Sequence, residues 1–265
     1  MAAPKVIAAL GSSYAAGPGI EPVEDSDAMR SARNYAHLCA ARLGARLVDL
    51  TVSGATTETI LRCPQTTMRG ARFAPQIDGL PADANLVTVT AGGNDLRFVG
   101  SVLAAAWRTH DPGGVMATML EEMLGATGIP DPTDAEVEQV ADGLAGIVAE
   151  ARRRAPRGRV IIVDYLAPLG ADTRPGVDVP FAAEELTALL RVQSALRDAN
   201  ERAAKRSGAE LLAASVLSEG HELGGAAQDP WVFGFIPEVE RTGASFHPNL
   251  AGMTAIAGAL AELLA

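Results

Sequence analysis

The sequence predicts a single doubly wound α/β domain over residues 1–265, built on a five-stranded parallel sheet with helices on both faces. Three observations predict it. Five short runs are apolar on both alternations, as strands are when helices cover both sides of a parallel sheet. Amphipathic stretches separate these runs from end to end. A chain of 265 residues, 48% hydrophobic and 20% charged, is also long enough for one substantial core.

The first strand is Val6–Leu10, an unbroken apolar run that begins almost at the N-terminus. The helical run Ala28–Leu43 leads to a strand at Arg46–Leu50, and Thr57–Arg62 is a short helix before the strand Leu86–Thr90. Helices follow at Arg97–Arg108 and Thr133–Ala155, the second opened by Thr133-Asp134-Ala135-Glu136, which reads as a capping box. The strand Arg159–Asp164, the helix Ala183–Arg206 and the strand Glu210–Ala213 continue the alternation. In the closing helix, Asn249–Leu264, the residues Leu250, Met253, Ala257, Leu260 and Leu264 share one face.

Four stretches rich in Gly, Pro and acidic residues interrupt the rhythm: Gly17–Asp27, His110–Pro132, Pro168–Pro180 and Leu217–Ser245. Ligands of open α/β sheets bind at the carboxyl ends of the strands, so some of these loops are expected to roof a site. Within residues 110–132, Met116, Met119 and Met123 recur at helical spacing. The stripe reads either as core packing or as the apolar face of a lid.

A formal charge of −10 argues against nucleic acid and anionic membranes as partners. No apolar run approaches the ~18 residues of a membrane span, so stable membrane insertion is not expected. Met1 to Lys5 lead straight into the first strand without a basic-then-apolar signal. Taken as the native start, this implies a cytoplasmic protein; a secreted mature form reads the same way. Cys39 and Cys63 have neither metal-knuckle spacing nor a disulfide framework and are expected to be reduced thiols. Scattered carboxylates and the lack of a helical His pair give no expectation of a metal. Nothing in the sequence speaks to oligomeric state.

Chemistry concentrates in four blocks. Gly11-Ser12-Ser13-Tyr14 follows the first strand, Ser53-Gly54-Ala55-Thr56 the second, and Gly92-Gly93-Asn94-Asp95 the third, while Phe246-His247-Pro248-Asn249 opens the last helix. A serine hydroxyl becomes a nucleophile only when a base takes its proton and donors await the oxyanion. A Ser/Gly turn after a strand can equally cradle a phosphate. Glycine at position 54 lets a backbone N–H approach a ligand, or simply turns the chain toward a helix capped by Thr56. Pro248 suits a first helical position, with His247 as the cap. His37, read as a mid-helix packing residue, and the loop residues His110 and His221 are weaker bases; His221 is the rival to His247.

In this order and at these separations the blocks resemble those of the GDSL/SGNH hydrolases, and the likeness runs along nearly the whole chain. The resemblance implies a flavodoxin-like SGNH domain and a carboxylic ester hydrolase without cofactor. It implies Ser13 as nucleophile and His247 as base, with the amides of Ser13 and Gly54 and the Asn94 side chain as oxyanion donors. Asp95 is expected to tie down its loop. Substrates of such enzymes are small, lipid or glycan esters.

This chain departs from the family pattern at two places. Ser12 replaces the usual aspartate of the first block, as in some actinobacterial members. Ala244 stands where the family usually has the aspartate that orients the histidine, three residues before His247. The likeness of Asp229-Pro230-Trp231-Val232 to members with a Ser-His dyad implies the Trp231 carbonyl as orienter, with Asp229 as rival. An acyltransferase using the same residues, a flavodoxin-like binding domain and a non-catalytic relative stand as alternatives.

Overall fold

The computed structural model describes residues 4–125 and 128–264. Its main sheet contains β1 (Val6–Gly11), β2 (Arg46–Asp49), β3 (Leu86–Thr90), β4 (Arg159–Val163) and β5 (Glu210–Leu212). All pairs are parallel, in the spatial order 2-1-3-4-5. The five expected strands are all present, with ends within one residue of expectation. Ile7, Leu10, Leu86, Val87, Val89, Ile161 and Ile162 are wholly buried, which explains why no strand shows a polar alternation.

The helices are α1 (Ser13–Ala16), α2 (Tyr35–Leu43), α3 (Thr57–Leu61), α4 (Phe98–His110), α5 (Val115–Leu124), α6 (Asp134–Arg154), α7 (Ala183–Ser207), α8 (Ala214–Leu217) and α9 (Leu250–Leu264). From β1 the chain steps outward to β2, then returns across β1 and continues to β5. Right-handed crossovers therefore put α2 on one face and α3, α6 and α7 on the other. Contacts agree, since α9 packs on α2 while α6 packs on both α3 and α7. The reversal of direction lies between β1 and β3, where doubly wound sheets open a crevice.

Three expected boundaries change. Residues 28–34 are not helical: Arg30–Ser31 pairs with Val23–Asp25 in a small hairpin, and Asn34 caps α2 by accepting the N–H groups of Ala36 and His37. The expected loop at residues 110–132 contains α5, whose Ala117 and Leu120 pack on Ala104 and Trp107 of α4; residues 126–127 of that segment lie outside the described residues. The last helix begins after Asn249, whose Oδ1 accepts from the Gly252 N–H, so His247 is not its cap. The capping box at Thr133 is present, and Thr56 caps α3 in the same way.

Candidate active site

β1 delivers Ser13 to the crevice in the first position of α1, and β3 delivers Gly92 to Asn94 beside it. Gly11 and Thr90 are register partners at the ends of these strands, and a Cβ on Gly11 would lie 2.6 Å from the Thr90 carbonyl oxygen. Only glycine lets the two strand ends come together so closely. Gln76 then locks the turn, accepting from the Gly11 N–H at 2.8 Å and donating to the Gly11 carbonyl at 2.9 Å. The Ser12 N–H donates to the Thr90 carbonyl. Two amides that a phosphate cradle would need are thus already bonded, which disfavours that reading of the turn.

His247 arrives from the opposite end of the sequence. Its Nε2 lies 2.8 Å from Ser13 Oγ, and both side chains are largely buried, with 8% and 9% of their surfaces exposed. Its Nδ1 lies 3.0 Å from a backbone carbonyl, that of Ser245. Among the described residues no carboxylate reaches the ring. Burial therefore dominates its proton affinity and drives the pKa down to about 4, against the opposing pull of backbone bonds with Ser245 and Ala244.

The Ser245 carbonyl corrects the expectation for Trp231 and Asp229. The Trp231 carbonyl accepts from the Asn249 N–H at 2.9 Å, and a Cβ on Gly252 would lie 2.3 Å from that oxygen. It is therefore engaged with the start of α9. Asp229 pairs with His221, Oδ1 to Nδ1 at 2.9 Å, and His221 stacks on the Trp231 ring at 3.8 Å. The rival base and the rival orienter thus satisfy each other.

Backbone geometry at Phe246 turns the Ser245 carbonyl and the His247 ring toward each other. Phe246 has φ +62°, a left-handed conformation that costs a bulky residue roughly 1–2 kcal/mol. Its buried ring holds it there, together with a 2.6 Å bond from the Tyr14 hydroxyl to its carbonyl and a 3.0 Å bond from its N–H to Phe233. Non-glycine strain at a functional site of this kind is sustained only where the surroundings over-determine it.

The sequence-expected donors lie on the segments that follow β2 and β3. Gly54 is exposed with φ +84°, and among the described residues neither its N–H nor that of Ser13 has an acceptor. Asn94 is half-buried and donates one Nδ2 hydrogen to the Ala55 carbonyl at 2.8 Å, which ties the Gly54 and Asn94 loops together and leaves the second hydrogen unspent. Asp95 accepts from the Thr57 N–H at 3.1 Å and from the Thr57 hydroxyl at 2.6 Å, joining the same two loops as the sequence suggested.

Tyr165, which the sequence did not single out, sits beneath all of this. Its buried hydroxyl accepts from the Gly93 N–H at 3.0 Å and lies 2.9 Å from Ser12 Oγ. Burial raises its pKa, so this bridge stays neutral. A serine at position 12 and a tyrosine at the end of β4 thus form an uncharged tie beneath the turn. Its one linear signal was a tyrosine directly after a strand.

Among the described residues no helix is long and apolar enough to cross a membrane. Comparison with known proteins agrees with the geometry. Residues 9–255 match the model of the GDSL-like Lipase/Acylhydrolase family. The chain is 33% identical over 230 residues to Lipase 2 of Streptomyces coelicolor, covering 84% of this chain and 74% of that protein. The fold is similar to that of the extracellular lipase from Streptomyces rimosus (TM-score 0.70, 22% identity, 97% of this chain and 98% of that one). It is equally similar to phospholipase A1 from Streptomyces albidoflavus NA297 (TM-score 0.72, 20% identity, 98% and 99%). The chain belongs to the GDSL-like lipase/acylhydrolase family and is a serine hydrolase of the carboxylic ester type.

Proposed function

We propose that Ser13 and His247 form a catalytic dyad that hydrolyses acyl esters through an acyl-enzyme, with the Ser245 carbonyl orienting the base. The observation that carries this reading is the 2.8 Å contact between His247 Nε2 and Ser13 Oγ. With the Nδ1 hydrogen donated to Ser245, the Nε2 lone pair faces the serine hydroxyl. Nε2 takes the Ser13 proton as Oγ attacks the ester carbonyl. The N–H groups of Ser13 and Gly54 and the free Nδ2 hydrogen of Asn94 receive the oxyanion. The imidazolium then returns its proton to the leaving alkoxide, giving the alcohol. A water molecule repeats the sequence on the acyl-enzyme, releasing the acid and restoring Ser13.

The test is intact mass after treatment with a small fluorophosphonate. One adduct is expected, mapping to Ser13 and absent from Ser13→Ala; labelling of another residue, or none on folded protein, overturns the assignment. Activity should also survive far into acid. The base works as neutral imidazole, so kcat/KM should stay level as pH falls below the ordinary histidine range and drop only through about 4. A midpoint near the ordinary value would mean that His247 is not buried as described.

We also propose that α5, within the segment read from the sequence as a lid, contacts the acyl chain. Val115 and Met123 of α5 are exposed at 83% and 57%, while Met116 and Met119 are half-buried beside them. An adaptable methionine edge suits flexible acyl chains and supports lipid esters as substrates. Met119→Ser with Met123→Ser should lower kcat/KM for long-chain more than short-chain p-nitrophenyl esters; equal loss across chain lengths removes the lid. The exposed free thiol of Cys63 supports residence in the cytoplasm, which fractionation of native cells would check.

A further inference from the structure

The hairpin and the start of α2 enclose a second cluster of titratable groups, at His37. Its Nδ1 lies 3.1 Å from Asn34 Oδ1 and 3.4 Å from Asp49 Oδ2, and its Nε2 lies 3.2 Å from Glu24 Oε1. The Asn34 oxygen is fixed as an acceptor, because it takes the N–H groups of Ala36 and His37 while Asn34 Nδ2 donates to Asp49 at 2.7 Å. Both ring nitrogens therefore face oxygen acceptors alone. A neutral imidazole has one N–H and one lone pair and would set that lone pair against an oxygen; the imidazolium satisfies both sides. Arg30 Nε already lies 2.7 Å from Glu24 Oε2, so a metal ion shared by these groups would sit against a guanidinium, whereas a ring proton adds no such ion.

The same groups hold the loop that carries Gly54. Arg30 Nη1 donates to the Thr51 carbonyl at 2.8 Å, and the Ser53 N–H donates to the Ala28 carbonyl at 2.9 Å. Asp49 Oδ1 accepts from the Thr51 N–H and hydroxyl at 3.0 and 2.6 Å. Residues 51–53 are thus clamped from outside by the hairpin and from below by Asp49, and Gly54 is the next residue.

We propose that the His37 imidazolium is a positioning group, a latch that fastens the hairpin to α2 and β2 and thereby holds the Gly54 N–H in place for the oxyanion. This inference rests on the assignment of Gly54 as a donor. Charges face His37 from Glu24 of the hairpin and Asp49 of β2, with Arg30 behind Glu24 and Asp25 beside Arg30. α9, packed along α2, turns Met253, Ile256 and Leu260 inward, and its one acidic residue, Glu262, is exposed in its last turn. Partial burial works to lower the His37 pKa, but the hydrogen bond and charge of Asp49, then those of Glu24, raise it above the ordinary value. A raised folded-state pKa means that the latch is complete below the ordinary histidine range and is lost as pH rises through the shifted value.

The experiment compares the pH profiles of kcat and KM for p-nitrophenyl acetate in the wild type, Glu24→Gln, His37→Gln and His37→Arg. In the wild type, kcat should decline by about threefold to tenfold between about pH 6 and pH 9, with KM little changed. His37→Gln should show the lowered kcat already at about pH 6 and no decline above it, whereas Glu24→Gln, which keeps the Asp49 partner, should move the decline to lower pH. His37→Arg, charged throughout, should keep the higher value across the range. The Glu24 side chain is 39% exposed, so its replacement leaves the core intact. If Glu24→Gln and wild-type profiles superimpose while Ser13 still takes up fluorophosphonate, the latch is wrong and the dyad stands. If wild-type Ser13 is not labelled, both the reading of the site and the latch fall.

Discussion

Ser13→Ala and His247→Ala should each lower kcat by about 10⁶-fold, and the double variant should be no slower than either single one. The geometry requires this non-additivity. Among the described residues His247 Nε2 has one partner in reach, Ser13 Oγ, and without a base the hydroxyl is scarcely nucleophilic. Once either is gone, the other has no remaining function. What survives should be the contribution of the Ser13 and Gly54 amides and Asn94, roughly 10³-fold over the uncatalysed reaction. Steady-state rates with a p-nitrophenyl ester, on variants matched in melting temperature, provide the check. A His247→Ala variant within tenfold of wild type would point to another base. His221 is the rival, although its Nδ1 is engaged with Asp229.

Asn94→Ala should cost about 10²–10³ in kcat, roughly 3 kcal/mol, while KM changes little. Charge grows on the carbonyl oxygen only as Ser13 attacks, so a donor aimed there acts on the transition state more than on bound substrate. Asn94 is well braced for this task. One hydrogen is fixed on the Ala55 carbonyl, and Asp95 holds the neighbouring loop through Thr57, so the amide is held in place. Melting curves separate this effect from the lost Ala55 bond, which lowers stability but does not select for kcat. A rise in KM at unchanged kcat would make Asn94 a substrate-binding group instead.

The carbonyl on His247 bears on how much an orienting aspartate contributes. With Ala244 in its usual place, the imidazole keeps its tautomer through the Ser245 oxygen, a neutral acceptor. Such an acceptor fixes geometry but lends less charge to the imidazolium than a carboxylate does. The low pKa of His247 follows from the same arrangement, since among the described residues nothing near the buried ring carries a negative charge to favour its protonation.

By itself, the sequence determined the five strands, because each is short and apolar on both faces, and most of the helices, because their apolar stripes and caps are local. Through its likeness to the GDSL/SGNH blocks it also pointed to Ser13, Gly54, Asn94 and His247, of which the fold brings Ser13 Oγ and His247 Nε2 together. Tertiary structure decided the rest. Every residue has a carbonyl, so no side-chain pattern distinguished Ser245 from Trp231; only the strained backbone at Phe246 brings that oxygen to Nδ1. Tyr165 meets Ser12 across 153 positions and Gly93 across 72, a pairing made by the sheet order and by no local pattern. The hairpin strands Val23–Asp25 and Arg30–Ser31 are too short to show a period, so residues 28–34 read as helix and His37 as packing. Where a group acts through neighbours brought in by the fold, its role is a property of the assembled sheet, because hydrogen bonds and charge act over ångströms in space and not along the chain.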